Sequence, residues 1–220
     1  MILMLFKYLS KKKEEKPETG GIKNIIFDVG QVLVDYDWET YLDSFGFEPA
    51  KRERIAKATF QSPVWDERDR GLYEEDVYLK QFQELDPEDA EDIEKVIRGT
   101  GGTIHKRPYA DTWVKYLKSK GYHVYILSNY SSYMLDHTKK ELTFRREMDG
   151  EVFSCYAKQL KPDAEIYQII LNKYQLKPEE CVFIDDRSEN CRGAQEQGIH
   201  TICFKDFKQV TADLEKLGVK

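Results

Sequence analysis

The chain alternates short apolar runs with amphipathic stretches. Ile22 to Asp28 ends in Ile25-Ile26-Phe27 and stops at Gly30, and His123 to Leu127, Glu151 to Tyr156, Cys181 to Asp185 and His200 to Phe204 have the same character. Continuous apolar runs of this length, bounded by turn residues, predict strands buried on both faces. Between them Tyr109, Trp113, Tyr116 and Leu117 share one helical face ahead of Gly121, and Ile166, Ile169 and Ile170 do the same in a segment that Asp163 can cap. Strands alternating with helices predict an α/β fold with a parallel sheet covered by helices on both faces.

From Trp38 to Lys106 this rhythm breaks, because the segments Trp38 to Phe45, Ala50 to Phe60, Glu74 to Leu85 and Pro87 to Ile97 are helical in pattern and no strand stands out. Turns fall at Pro49, Ser62-Pro63, Gly71 and Asp86-Pro87, and the WDERDRG stretch around Trp65 is the least helix-like part. The expected organisation is a flexible tail over 1–21, a core domain over 22–37 and 107–220, and a helical insert over 38–106. An insert that leaves after the first strand and returns before the second is expected over the carboxyl ends of the strands, where open α/β sheets bind ligands.

Hydrophobic residues make up 40% of the 220 and charged residues 34%, the balance of a soluble globular protein that can bury a real core. The net charge of -6 argues against a nucleic-acid partner, which usually demands a basic stripe. Between Asp66 and Lys95 there are 13 Asp and Glu against 4 Lys and Arg, read as the solvated faces of surface helices. Cys155, Cys181, Cys191 and Cys203 form no CxxC pair and are expected to be reduced thiols of a cytoplasmic protein. The apolar start, Met1 to Leu9, precedes Lys11, Lys12 and Lys13, the reverse of a secretory signal, and is too short for stable membrane insertion.

Four chemically capable elements stand at strand ends or helix starts. Asp28 closes the first strand in FDVGQVLVD, where packing alone explains a carboxylate poorly, although an Asp before Gly30 also makes a turn. Ser128 and Asn129 end the second strand in YILSNYSS, offering a hydroxyl, an amide and main-chain donors to phosphate oxygens, or ordinary turn chemistry. Lys161 in LKPD precedes a helix start and can neutralise charge on a phosphoryl group, or be a surface lysine. Asp185 and Asp186 in VFIDDRSEN are the most specific signal, since adjacent carboxylates after an apolar strand repel unless a cation lies between them, and magnesium suits oxygen ligands. Asn190 is placed to orient that shell from the next helix.

In this order and spacing, FDVGQVL, LSN, KPD and IDD resemble the four signatures of the haloacid dehalogenase superfamily from about Ile22 to about Phe204. FDVGQVLVD, WDERDRG and IDDRSEN are similar to bacterial phosphatases of the α-D-glucose-1-phosphatase type, relatives of the amino-terminal phosphatase domain of soluble epoxide hydrolases. The resemblance implies a Rossmann-like core with a helical cap and a magnesium-dependent phosphatase. It places the nucleophile at Asp28, phosphate binding at Ser128 and Asn129, and the lysine role at Lys161. It assigns Mg²⁺ to Asp28, Asp186, the Gly30 carbonyl and, directly or through water, Asp185.

Most phosphatases of that superfamily carry an acid-base aspartate where this chain has Gly30, so both proton transfers are expected to lean on solvent or on a cap residue. A leaving group of low basicity follows, which favours a sugar 1-phosphate among small phosphorylated metabolites. Two rivals are a 2-haloacid dehalogenase, which leaves the Asp185-Asp186 repulsion unexplained, and a binding protein that has lost turnover at Gly30. Trp38, Phe45, Phe60, Trp65, Tyr73 and Tyr78 are the cap aromatics available for specificity or for the cap's own core, with Trp65 foremost.

Overall fold

A computed structural model describes residues 21–220; residues 1–20 of the expected tail, with its apolar start at Met1 to Leu9, fall outside the described residues. The strands β1 (Asn24–Phe27), β4 (His123–Ser128), β5 (Gly150–Phe153), β6 (Cys181–Asp185) and β7 (His200–Cys203) form one sheet in the order β5-β4-β1-β6-β7. All four pairings are parallel. Phe27 pairs with Ile126 on one side and Ile184 on the other, so the carboxyl ends of three adjacent strands finish at nearly one level. After β1 the chain builds the sheet first toward β5 and then toward β7, which makes the β1 edge the switch point where such sheets open a crevice.

Side-chain alternation divides the core. Phe27, Ile126 and Ile184 point to one face, against Trp113, Val114 and Leu117 of α6 (Ala110–Ser119) and Val210 and Leu214 of α11 (Phe207–Lys216). Ile26, Leu127 and Phe183 point to the other, against Ile166, Tyr167 and Ile170 of α9 (Ala164–Tyr174) and Ala194 of α10 (Ser188–Glu196). Asp163 does occupy the first position before α9, but its side chain accepts no capping hydrogen bond.

Between β1 and β4 the chain forms β2 (Val34–Tyr36), α1 (Trp38–Asp43), α2 (Pro49–Ala58), α3 (Pro63–Arg70), α4 (Glu75–Leu85), α5 (Ala90–Arg98) and β3 (Ile104–Lys106). These helices have their own cluster, which includes Leu42, Ile55, Tyr78, Phe82, Ile93, Val96 and Ile97. Here the structure corrects three expectations. The insert is rooted on an antiparallel pair, β2 with β3, whose three-residue strands are too short to show a period. WDERDRG is helical: Pro63 starts α3, Gly71 ends it in the left-handed conformation at φ 69°, and the density of charge hid the pattern. The run from Glu151 to Tyr156 stops being a strand at Phe153, because Ser154 turns into the short helix α8 (Ser154–Ala157). The buried Ser154 hydroxyl donates to the Asp69 carbonyl (2.6 Å) and accepts the Tyr130 N–H (2.9 Å), tying this corner to the insert. A further helix, α7 (Ser132–His137), follows β4 and is capped by Ser131. The cysteines are free, with Cys155, Cys181 and Cys191 buried. No helix among the described residues is long and apolar enough to cross a membrane.

Candidate active site

Asp28 is the first residue past β1, and its Oδ1 accepts three donors: its neighbour's amide at Val29 (2.7 Å), the Ser128 hydroxyl at the end of β4 (2.6 Å) and the Lys161 ammonium (2.9 Å). Among the described residues no hydrogen bond reaches Oδ2. The same ammonium lies 2.6 Å from Asp185 Oδ2 at the end of β6. Asp185 is fully buried and both its oxygens are engaged, Oδ1 by the Arg187 amide (2.8 Å) and Asn190 Nδ2 (3.0 Å), Oδ2 by Lys161 and by the same Nδ2 (3.1 Å). Lys161 is only 4% exposed, so it is a buried ion-pair partner and no surface lysine.

Asn129 holds Lys161 in place. Its Nδ2 donates to the Lys161 carbonyl (3.0 Å) while its Oδ1 accepts the Lys161 amide (2.9 Å), so one face of the side chain serves the main chain of the lysine segment. The end of β4 and the loop before α9, more than thirty residues apart, are thereby tied together. Asn190 does the equivalent for Asp185, and its own carbonyl accepts the Tyr167 hydroxyl (2.7 Å).

The electrostatics follow from burial. Burial pushes the Asp28 carboxyl up to about 7; the Lys161 charge lowers it and the Asp185 charge raises it. Asp186 is raised by burial and then by Asp185. For Lys161 burial works against the charge, but Asp185 and Asp28 outweigh it and hold the ammonium above its ordinary value. Carboxylate oxygens of Asp28, Asp185 and Asp186 lie within 4.8 Å of one another, and Lys161 bridges the first two. Three carboxylates and one ammonium leave a net negative, all-oxygen site with a free oxygen on Asp28, the donor set a hard divalent cation takes. The residues therefore fit Mg²⁺.

Over this cluster lies a cavity of about 90 Å³, lined by Trp65, Asp69 and Ile104 of the insert and, from outside it, by Asp28, Gly30, Tyr36, Ser128, Asn129, Tyr130 and Met134. Of the cap aromatics singled out by sequence, Trp65 faces the cavity. Trp38 stacks on Phe60 at 5.2 Å, Phe45 on Phe47 at 5.4 Å, Tyr78 is buried in the insert's core, and Tyr73 is exposed. The aromatics that sequence reasoning missed are Tyr130 and Tyr36, the latter stacked on Trp65 at 6.1 Å. It also missed Asp69, which shares a helical face with Trp65 four residues earlier; a helical reading of WDERDRG was the signal that would have found it.

A profile of haloacid dehalogenase-like hydrolases matches residues 22–198. Flavin mononucleotide hydrolase 1 of Arabidopsis thaliana is 25% identical over 89% of this chain and 77% of its own length. D-ribitol-5-phosphate phosphatase of Bacteroides thetaiotaomicron is 27% identical over 82% of this chain and 90% of its own. A HAD family enzyme from the same bacterium, solved with magnesium and inorganic phosphate, superimposes with a TM-score of 0.69 at 23% identity, covering 86% of this chain and 99% of that one, which shows a common fold. With the profile spanning most of the chain and the strand-end motifs brought together at one site, this chain belongs to the haloacid dehalogenase-like hydrolases.

Proposed function

We propose that the chain is a magnesium-dependent phosphatase acting on a small phosphorylated metabolite through a phosphoryl group carried on Asp28. The observation that carries the reading is the buried lysine held between Asp28 and Asp185 at the ends of adjacent strands. A structural ion pair would neutralise one carboxylate with one ammonium; here one ammonium bridges two carboxylates, a third lies within 4.8 Å of them, and the nucleophile candidate keeps an oxygen free. The phosphatase names of the relatives and the phosphate complex of the structural neighbour support the same chemistry.

In this reading Asp28 Oδ2 attacks phosphorus while Oδ1 stays oriented by Val29 and Lys161, the Ser128 hydroxyl turning from it to a phosphate oxygen. Lys161 screens the charge of the transferring group, and the Ser128 hydroxyl and the Asn129 main chain hold phosphate oxygens. Asp28, Asp186 and the Gly30 carbonyl would hold Mg²⁺, with Asp185, its oxygens already engaged, acting through Lys161 and Asn190. When bound, the ion draws in the dianionic phosphate and screens it from the attacking carboxylate. Residues 38–106 act as the cap domain over the core of 22–37 and 107–220, supported by their separate hydrophobic cluster. A cavity of about 90 Å³ with Trp65 and Tyr36 in its wall suits a small leaving group with a flat face, and a small sugar phosphate is the candidate class. Free buried thiols fit a reducing, cytoplasmic setting. Turnover of 4-nitrophenyl phosphate with and without Mg²⁺, by the parent and by Asp28→Asn, tests the reading: activity without metal, or in a folded Asp28→Asn, would sink it. A panel of phosphorylated metabolites then ranks the substrates.

A further inference from the structure

Gly30 leaves the reaction without the aspartate that would move protons from the core side. The opposite wall of the same cavity supplies a carboxylate. We propose that Asp69, at the end of the cap helix α3, is the general acid and base of the reaction, deepening and resting on the phosphatase reading above.

The geometry selects Asp69 by elimination within the cavity wall. Asp28 and Asp69 are the carboxylates lining it, and no histidine, lysine or cysteine does. Asp28 is engaged with Lys161, whereas Asp69 sits among the apolar groups Tyr36, Trp65, Ile104, Tyr130 and Met134, where a leaving group must lie when phosphorus faces Asp28. Tyr36 and Tyr130, the other groups there with an exchangeable proton, are both pushed well above their ordinary range by burial, so neither cycles near neutrality. Asp69 is also held firmly: its carbonyl accepts the buried Ser154 hydroxyl of the core at 2.6 Å. Gly71, two residues on, approaches Cys155 so closely that a Cβ would lie 2.9 Å from its backbone. This end of the cap is therefore fixed to the sheet and keeps Asp69 in place.

The groups that face Asp69 from every side account for its proton affinity. Burial raises it to about 7, Arg68 on its own helix lowers it, Asp66 raises it, the Ser131 amide before α7 lowers it and Asp28 raises it; Tyr36, Tyr130 and Cys155 complete the surroundings. Arg68 is buried and paired with Glu75 at 2.6 Å, which limits its pull on Asp69. A carboxyl near neutrality is available in both forms at physiological pH. In the first step the bond from phosphorus to the leaving oxygen breaks as the bond to Asp28 Oδ2 forms, and the Asp69 proton goes to the departing oxygen, which leaves as an alcohol. In the second, water oxygen bonds to phosphorus, its proton goes to the Asp69 carboxylate, and the bond to Asp28 breaks. Inorganic phosphate leaves with both carboxyls restored to their starting forms.

The test is turnover of a series from alkyl phosphates to phenyl and 4-nitrophenyl phosphate by the Mg²⁺-loaded parent and Asp69→Asn, with acid-quench detection of phosphoenzyme. The parent should depend only weakly on leaving-group basicity. In Asp69→Asn alkyl phosphates should lose about 10²-fold or more, the scale of one acid-base group. The variant should release nitrophenol from 4-nitrophenyl phosphate in a burst of one equivalent and then accumulate phospho-Asp28. An equal loss for every leaving group, no loss, or a steep dependence in the parent would overturn the proposal. The parent slope decides the matter even if the variant does not fold. Metal-independent turnover, or turnover by Asp28→Asn, overturns the phosphatase reading itself and is read separately on 4-nitrophenyl phosphate.

Discussion

The two walls of the cavity are built on opposite electrostatic plans. On the core wall every charge is cross-linked: Lys161 bridges Asp28 and Asp185, Asn129 fixes Lys161, and Asn190 fixes Asp185. On the cap wall one carboxyl, Asp69, stands among aromatic and aliphatic side chains. Burial raises the Asp28 and Asp69 carboxyls alike to about 7, so the walls differ in what holds each group: Asp28 is oriented by Ser128 and Lys161 toward phosphorus, whereas Asp69 lies among apolar side chains with no such bridge. The contrast teaches that a site can divide charge stabilisation from proton transfer between two parts of the chain.

The sharpest break of this contrast is Asp28→Asn, expected to abolish turnover while leaving circular dichroism intact and the melting transition no lower than the parent's, since Asn preserves shape and removes one of three crowded carboxylates. Next comes Lys161→Ala, which strands two buried carboxylates. Turnover should fall by about 10²-fold or more in kcat, and unfolding in urea should show about 3–5 kcal/mol lost, the scale of breaking a buried pair. A change confined to KM, with stability unaltered, would make Lys161 a mere binding group.

The cap wall should respond in the other direction. A carboxyl raised from its ordinary value to about 7 binds its proton more tightly in the folded chain than in the unfolded one. Its contribution therefore falls as pH rises from about 4 to about 7 and is level above that. Asp69→Asn removes the penalty, so the Tm advantage of the variant over the parent should widen across that window. The gain should reach on the order of 5 °C after allowance for partial solvent access to the cavity. Melts at pH 4.5 and 8 check it, and an advantage that shrinks with pH would contradict the assignment. Stabilisation with loss of alkyl phosphate turnover is the signature of a functional residue held at a cost to the fold.

Smaller effects should follow at Trp65 and Gly30. Trp65 touches Tyr36, Phe60 and Phe82, so Trp65→Ala should raise KM by about tenfold and blur the preference among phosphorylated metabolites, as one lost aromatic contact would. A Cβ at Gly30 meets nothing within 4 Å and the backbone there is ordinary, so Gly30→Asp should fold and change the parent rate least of all. In the Asp69→Asn background the same substitution should restore part of the alkyl phosphate turnover, measured as initial rates.

The sheet and its strand ends were legible because continuous apolar runs and the polar residues that stop them are local patterns, and because Phe27, Ile126 and Ile184 pair at one level. The cap wall was not. WDERDRG carries five acids and bases in a row after Trp65, and its helix becomes evident only when Arg68 is seen buried between Trp65 and Tyr133, at 5.2 and 5.0 Å from their rings. Likewise Asn129 looked like a phosphate ligand, and only the folded chain shows its side chain occupied with Lys161, thirty-two residues away.

By itself, then, the sequence determined which strands form, which carboxylates and hydroxyl stand at their ends and that a lysine precedes a helix start, since strand burial and turn chemistry act over neighbouring residues. Tertiary structure alone decided which of those groups share a proton environment. It buried Lys161 between two acids and brought Asp69 across from Asp28, and the affinity of a carboxyl for its proton depends on charges and solvent within a few ångströms, contributed here by segments far apart in the chain.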